Sequence, residues 1–526
     1  MKYRVVRILS AVSARVGIVV LVAVIGTLSP SCMVGPDFRQ PTVPDTSEYT
    51  ATPLPEKTAS APGTGGAAQR FLPGQEIPAQ WWTLFQSEAL DRLIRQALAD
   101  SPTLAAARSI LRQAQENWRA QFGALLPTVD VNASASRQKI SGAEFGEPNT
   151  IFPPFALYNA SVTVSYALDI FGGTRRELEA LQSQVDYQSF QLEGAYLTLT
   201  ANIVTTAVRE ASLRSQIRAT QEILAVQEKQ LEVVEQQFQL GGASQPDIFS
   251  QQTQLAQTRS TLPPLEKELA QTRHLMAVLI GTLPSKAGAL PAFELEGMLL
   301  PQEIPVSLPS ALVHQRPDIR ASEALLHAVC AQVGVATANL YPQVTLTGSY
   351  GSETNTLHDL FGSGTSVWSL GAGLLQPLFH GGELTAKRRA AVAAYDQATA
   401  QYQETVLQAF QNVADVLRAL DEDASALKAQ EEAEEAAAGT LALTQKRFQL
   451  GAVSYLSLLD AQRQYQQTRI SLVQAQAARF ADTAALFQAL GGGWWNRVSQ
   501  GDTAAMTNRA LYMLLVANRA KERATE

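Results

Sequence analysis

Asp460 and Arg463 stand three residues apart in Leu458-Leu459-Asp460-Ala461-Gln462-Arg463, so on a helix they share one face. The chemistry open to them is an ion pair, and on a solvated surface such a pair contributes a fraction of a kcal/mol. The five histidines, His274, His314, His327, His358 and His380, include no His-x-x-x-His spacing that would suit a metal. No phosphate loop and no nucleophile elbow is present. The Gly172-Gly173 and Gly381-Gly382 pairs could hold an anion, but sharp turns explain them better. The expectation is a protein that is not an enzyme, with no cofactor and no metal.

Non-catalytic residues of this kind need elements to position them, and the chain writes those elements twice. Arg447-Phe448-Gln449-Leu450-Gly451-Ala452-Val453-Ser454 repeats Gln237-Phe238-Gln239-Leu240-Gly241-Gly242-Ala243-Ser244. The register continues without a gap: Thr258-Arg259 answers Thr468-Arg469, Leu262 answers Leu472, and Gly281 answers Gly491. Each copy reads as helix, glycine turn, serine cap, return helix. Ser250 and Thr253 fall where Asp460 and Arg463 lie, so only one copy carries the charged pair; Asp247 is a weaker acidic candidate.

Thr174 to Leu240 contains no proline and one internal glycine, Gly194, which predicts a helix of roughly 100 Å at 1.5 Å per residue. Ile217, Leu224, Leu231 and Phe238 recur every seven residues, beside Leu213 and Val234; Leu427, Leu441 and Phe448 match them, with Glu434 interrupting. A seven-residue period implies left-handed coiling of helix on helix. Pro263-Pro264 should kink the return helix or start a new segment.

Upstream, a helix is expected over 88–122, bent or restarted at Pro102, and its counterpart over 311–340. Val129 to Ser136 and Val162 to Ile170 alternate apolar and polar, as half-wet strands do, around an exposed loop at 138–157. Val344 to Tyr350 and Val367 to Phe379 form the second pair. Each half supplies two strands, so the chain supplies four.

The 526 residues are 46% hydrophobic and only 17% charged, with net charge −7, which argues against nucleic acid as a partner. Lys2, Arg4, Arg7 and Arg15 precede an apolar run from Val16 to Leu28, the layout of an export signal over 1–31. Cys32 follows directly and resembles the lipid-acceptor residue of bacterial lipoproteins. Cys330 then has no disulfide partner and is expected as a small buried hydrophobe. Residues 32–80 are rich in proline and read as a lipid-anchored extended tether with no core of its own. The remaining plan is a first repeat over 81–281, a connector at 282–310, a second repeat over 311–493 and a poorly ordered tail at 494–526.

Four strands cannot close a membrane barrel, since the smallest have about eight. An open edge is not tolerated in lipid. An exported chain with four amphipathic strands must therefore pool them across subunits, and three chains would give twelve.

The motifs carry a resemblance. Val34-Gly35-Pro36-Asp37-Phe38, Trp81-Trp82 with Phe85, Gln315 to Arg320 and Asn339-Leu340-Tyr341-Pro342 belong to it. So do Ser369 to Phe379 and Leu458 to Arg463. Over residues 32–495 the chain resembles the TolC-like outer-membrane efflux proteins, in the lipoprotein branch that serves resistance-nodulation-division (RND) pumps. The resemblance implies an α+β membrane protein. It would be a homotrimer with a 12-stranded outer-membrane β-barrel, four strands per chain, continuous with a long periplasmic α-helical barrel of coiled hairpins. It also implies anchoring to outer-membrane lipid in a Gram-negative bacterium, a periplasmic adaptor and an inner-membrane RND-type pump. Leu456 would narrow the periplasmic mouth as an apolar ring, and Asp460 and Arg463 would tie neighbouring hairpins shut. Leu240, Gly241, Gly242 and Ser244, with Leu450, Gly451, Val453 and Ser454, would meet the adaptor. The rival readings are a periplasmic coiled-coil scaffold without a pore and a surface hydrolase on a helical stalk. The second lacks a nucleophile–base constellation.

Overall fold

The computed structural model describes residues 33–46, 48–141, 143, 146 and 149–497. The expected signal segment, the acceptor Cys32 and tail residues 498–526 lie outside the described residues. Two compact units are present, each assembled from both halves of the chain. One takes residues up to Thr42, Ala106–Leu192 and Asp318–Val406; the other takes Val43–Ala105, Glu193–Pro317 and Leu407 onward.

The first unit holds a four-stranded antiparallel sheet in the order β2 (Thr128–Gln138), β3 (Phe155–Leu168), β5 (Gln343–Thr354), β6 (Ser366–Leu375). The first pair is longer than its alternation suggested. β3 starts at Phe155, inside the stretch expected as loop, because Phe155 pairs with Gln138 at the end of β2. β6 stops at Leu375, short of the expected Phe379, ahead of Pro377, which has no N–H to give a ladder.

The second unit opens with β1 (Arg70–Pro73), which pairs in parallel with β4 (Glu303–Val306). A 3-10 turn over Trp81–Phe85 then plants three aromatic side chains in the core. Trp81 meets Phe487 at 5.4 Å between ring centres, and Phe85 meets Phe480 at 6.4 Å. Much of the expected free tether is therefore packed. Thr58, Gln69, Phe71 and Ile77 are buried, and the Tyr49 hydroxyl donates to the Ser307 carbonyl at 2.8 Å. Composition favours an extended backbone there, but an extended backbone can still lie against helices and lend one short strand.

The expected helix over 88–122 is two: α1 (Glu88–Asp100) and α2 (Pro102–Phe122). Pro102 drives Ser101 to ψ 120°, out of the helical region. The counterpart divides identically at Arg316, ψ 126°, into α5 (Pro309–Gln315) and α6 (Pro317–Ala338). The long helices follow β3 and β6 of the one four-stranded sheet. α3 (Gly173–Gln239) and α7 (Glu383–Gln449) each have 67 residues, and α4 (Gln245–Leu279) and α8 (Tyr455–Ala489) each have 35. α4 runs through Pro263-Pro264 without the expected break. Both prolines are exposed, so water can reach the carbonyls of Arg259 and Ser260 that lose their donors. Among the described residues no helix is long and apolar enough to cross a membrane.

Candidate functional site

The two hairpin tips are built alike. At the first, Gly241 takes φ +79° while the Gly242 N–H donates to the Gln237 carbonyl at 2.7 Å. At the second, Gly451 takes φ +71° and the Ala452 N–H donates to the Arg447 carbonyl at 2.8 Å. A Cβ on Gly241 or Gly451 would meet nothing within 4 Å, so within the chain it is the left-handed backbone, not close approach, that calls for glycine.

The serines then start the return helices. The Ser244 N–H donates to Asp247 Oδ2 at 2.8 Å and its hydroxyl donates to the same oxygen at 2.6 Å. Asp247, weighed from sequence as an acidic-ring candidate, is engaged as this cap. The second tip has Ser457 in that place, and its N–H donates to Ser454 Oγ at 3.3 Å.

Beneath the tips, Val234, Ile248, Tyr455, Leu458 and Leu459 form a buried cluster, with Leu231, Ala243, Leu441 and Phe448 against it. The heptad rows supply Val234, Leu231, Leu441 and Phe448 to this core and the return helices supply the other buried members, while Phe238 of the same row is exposed. The Tyr455 hydroxyl donates to Gln251 Oε1, and Gln251 Nε2 donates to the Gln227 carbonyl at 2.9 Å. Burial pushes the Tyr455 phenol up, so it stays a donor. What remains outside is apolar: Leu240 is 86% exposed, Leu450 83% and Leu456 62%. Asp460 and Arg463 are also exposed, and within the chain they bond to each other at 2.9 Å. Val453 completes the second turn.

The sheet is sided. One face aligns Val129, Val164, Gly348 and Leu370, then Val131, Val162, Tyr350 and Trp368. The other aligns Asp130, Thr163, Ser349 and Ser369, with Ser349 and Ser369 hydroxyls 2.8 Å apart and Asn132 Nδ2 donating to Thr163 Oγ1 at 3.2 Å. Val131, Tyr350, Trp368, Leu370 and Leu374 are all exposed. The free edges of β2 and β6 have no partner strand among the described residues.

Where the strands give way to helices, the segment from Met33 to Phe38 is locked in place. The Val34 N–H donates to the Phe171 carbonyl at 3.1 Å. Arg176, 1% exposed, donates to Val34 O at 3.2 Å, Asp37 Oδ1 at 2.7 Å and Glu179 Oε2 at 2.7 Å. His327 Nε2 lies 2.9 Å from Glu179 Oε1, and Phe38 stacks on the His327 ring at 4.2 Å. Gly35 takes φ +95°, and a Cβ on it would come within 2.4 Å of Gly334 Cα. Cys330 is buried beneath, its thiol 3.9 Å from the Pro36 carbonyl, and burial pushes that thiol up. The Val34 to Phe38 motif is visible in the sequence, but the roles of Arg176, Glu179 and His327 around it are not. The one local signal was an arginine three residues past Gly173, with nothing nearby in the sequence to name its partners.

The family model for "Outer membrane efflux protein" matches residues 93–282 and 308–492. The pyoverdine export outer membrane protein OpmQ of Pseudomonas putida is 32% identical over 453 residues, covering 84% of this chain and 94% of that protein. The probable outer membrane lipoprotein SilC of Salmonella typhimurium is 28% identical, covering 79% and 88%. Among solved structures, the outer-membrane channel OprN superposes with TM-score 0.78 at 27% identity, over 88% of this chain and 100% of that one. VceC of Vibrio cholerae gives 0.74 at 27%, over 80% and 100%.

Proposed function

Since the chain belongs to the outer membrane efflux protein family, we propose that it is the passive exit duct of a tripartite efflux system, closed and opened at the tips of its helical hairpins. It is an outer-membrane efflux channel. The finer reading concerns how it is built and worked. Each chain lends β2, β3, β5 and β6 to a barrel shared by three subunits, with the apolar face toward lipid and the serine and threonine face toward the lumen.

The observation that carries this is the four-stranded sheet with no partner strand on either edge among the described residues and an apolar face that exposes Val131, Tyr350, Trp368, Leu370 and Leu374. Its strands have 11, 14, 12 and 10 residues, and about 9–11 tilted residues span the hydrocarbon. Lipid offers no donors or acceptors to the free edges, so neighbouring subunits must supply them.

Two sequence repeats produce the two hairpins of equal element lengths. Below the membrane, α3–α4 and α7–α8 from three chains form the wall of the periplasmic tube. Leu456 narrows its mouth. Asp460 and Arg463, paired within one chain, exchange partners with neighbouring hairpins when the mouth closes, and threefold repetition makes the closure bistable. Leu240, Gly241, Gly242 and Ser244, with Leu450, Gly451, Val453 and Ser454, receive a periplasmic adaptor, and an inner-membrane RND-type pump supplies the energy. Cys32 carries the lipid. The duct conducts small molecules without transforming them.

The double variant Asp460→Ala with Arg463→Ala is expected to raise single-channel conductance in a planar bilayer and to admit vancomycin to cells. Unchanged conductance and entry would remove the gate from this account. A coiled-coil scaffold without a pore would give no conductance with either protein.

A further inference from the structure

The four strands of the antiparallel sheet hold three charged residues: Asp130 and Arg137 in β2, and Glu353 in β5. The pleat sorts them by sign. Asp130 is level with Thr163, Ser349 and Ser369, and Glu353 is level with Asn159 and Ser134. Successive residues of a strand point to opposite faces, so both carboxylates fall on the serine and threonine face. Arg137, level with Ala156, falls on the apolar face. Within the strands the polar face therefore carries acids and no base.

Neither carboxylate is neutralised inside the chain. Both are exposed, and among the described residues neither has a cationic partner. Glu353 Oε2 accepts from the uncharged Asn159 Nδ2 at 3.3 Å, and Asn159 Oδ1 accepts from the Ser161 hydroxyl at 3.0 Å. Asp169, just past the end of β3, is the contrast. It accepts from the backbone N–H groups of Thr174 and Arg175 at 3.0 Å and from the Arg175 guanidinium at 2.9 Å, so its charge is answered locally. On β2 the two acidic rungs, at Asp130 and Ser134, lie four residues apart, roughly 13 Å along the strand. Arg137 sits at the opposite end of β2 from the helices, next to the 139–154 loop. There a long side chain on the lipid-facing side reaches out to headgroups rather than into the barrel.

We propose that the barrel lumen prefers cations, that Asp130 and Glu353 set this preference, and that the duct therefore favours cationic and neutral solutes over anionic ones. The inference rests on the reading above, in which three chains close the sheet with its polar face inward. Threefold repetition then stacks two acidic rings in a water passage walled by lipid. A low-dielectric wall focuses the field of such rings into the passage, which enriches cations there and depletes anions. Salt sets the reach of that field. The screening length is about 30 Å at 0.01 M and about 3 Å at 1 M. The rings thus act on the whole passage in dilute salt and only on the water beside the wall in concentrated salt.

Reversal potentials of the full-length protein in planar bilayers, recorded under potassium chloride gradients, test this. The unaltered protein is expected to pass potassium at least about threefold more readily than chloride near 0.01 M, and to lose most of that preference near 1 M. Asp130→Asn with Glu353→Gln should abolish most of the dilute-salt preference, while Arg137→Gln, on the opposite face, should keep it. If the double variant does not insert, Thr347→Lys decides the matter. It places a cation on the rung beside that of Asp130, level with Thr128 and Ser165, and should lower the preference with both carboxylates present. Indifference to ion sign in dilute salt, a preference undiminished at high salt, or lumenal variants as selective as the unaltered protein overturns the inference. So does a loss in Arg137→Gln equal to that in the double variant. Conductance without selectivity leaves the duct standing; no conductance removes the duct and its preference together.

Discussion

Arg176 ties three segments together: the backbone of Val34, the carboxylate of Asp37 and that of Glu179. Removing it strands Glu179 in a partly buried place with only His327 as partner, so Arg176→Met is expected to cost about 3 kcal/mol, read as a fall in thermal midpoint. Burial works against the charge on Glu179, yet hydrogen bonds from His327 and Arg176 hold its carboxyl below the usual range. Its contribution is therefore present at neutral pH and lost as pH falls through the acid range. The acid loss should shrink in Arg176→Met; an undiminished loss would assign it to other carboxyls. None of these partners could be read from the sequence. Val34 and Arg176 lie 142 residues apart, and contacts across that distance leave no periodicity. The tip residues were readable because their roles are local: a positive φ asks for glycine, and an unsatisfied first turn asks for serine.

At the scale of elements, alternation revealed the strands and the seven-residue row revealed the hairpins, because side-chain direction repeats with the backbone. Strand ends were less legible. Ladder pairing decides them, and Phe155 joins β3 only because Gln138 stands opposite. Pro263-Pro264 misled for a related reason, since the cost of a helical proline depends on whether water reaches the freed carbonyls. The packing of residues 58–69 was hidden by their own composition. The sidedness of the sheet gives a sharp contrast. Leu370→Arg, on the apolar face, is expected to cost about 2–4 kcal/mol near the membrane midplane and to reduce the yield of membrane-inserted protein. Thr347→Lys, on the polar face, should insert normally. Equal yields would contradict the assignment of faces.

At the scale of the whole molecule, the single chain is incomplete in a specific way. Among the described residues its sheet has no partner strand on either edge, and Tyr350, Trp368, Leu370 and the leucines at the turns are exposed. Function in the outer membrane follows from family membership; the proposed assembly, in which three chains turn their strands into a closed wall, rests on the cost of bare edges in lipid. The most direct measurement is planar-bilayer recording of the purified membrane-extracted protein, sized by sedimentation in the same detergent. A particle of three chains that inserts in discrete conductance steps is the predicted result. A single chain that sediments alone and leaves the bilayer insulating would contradict the account.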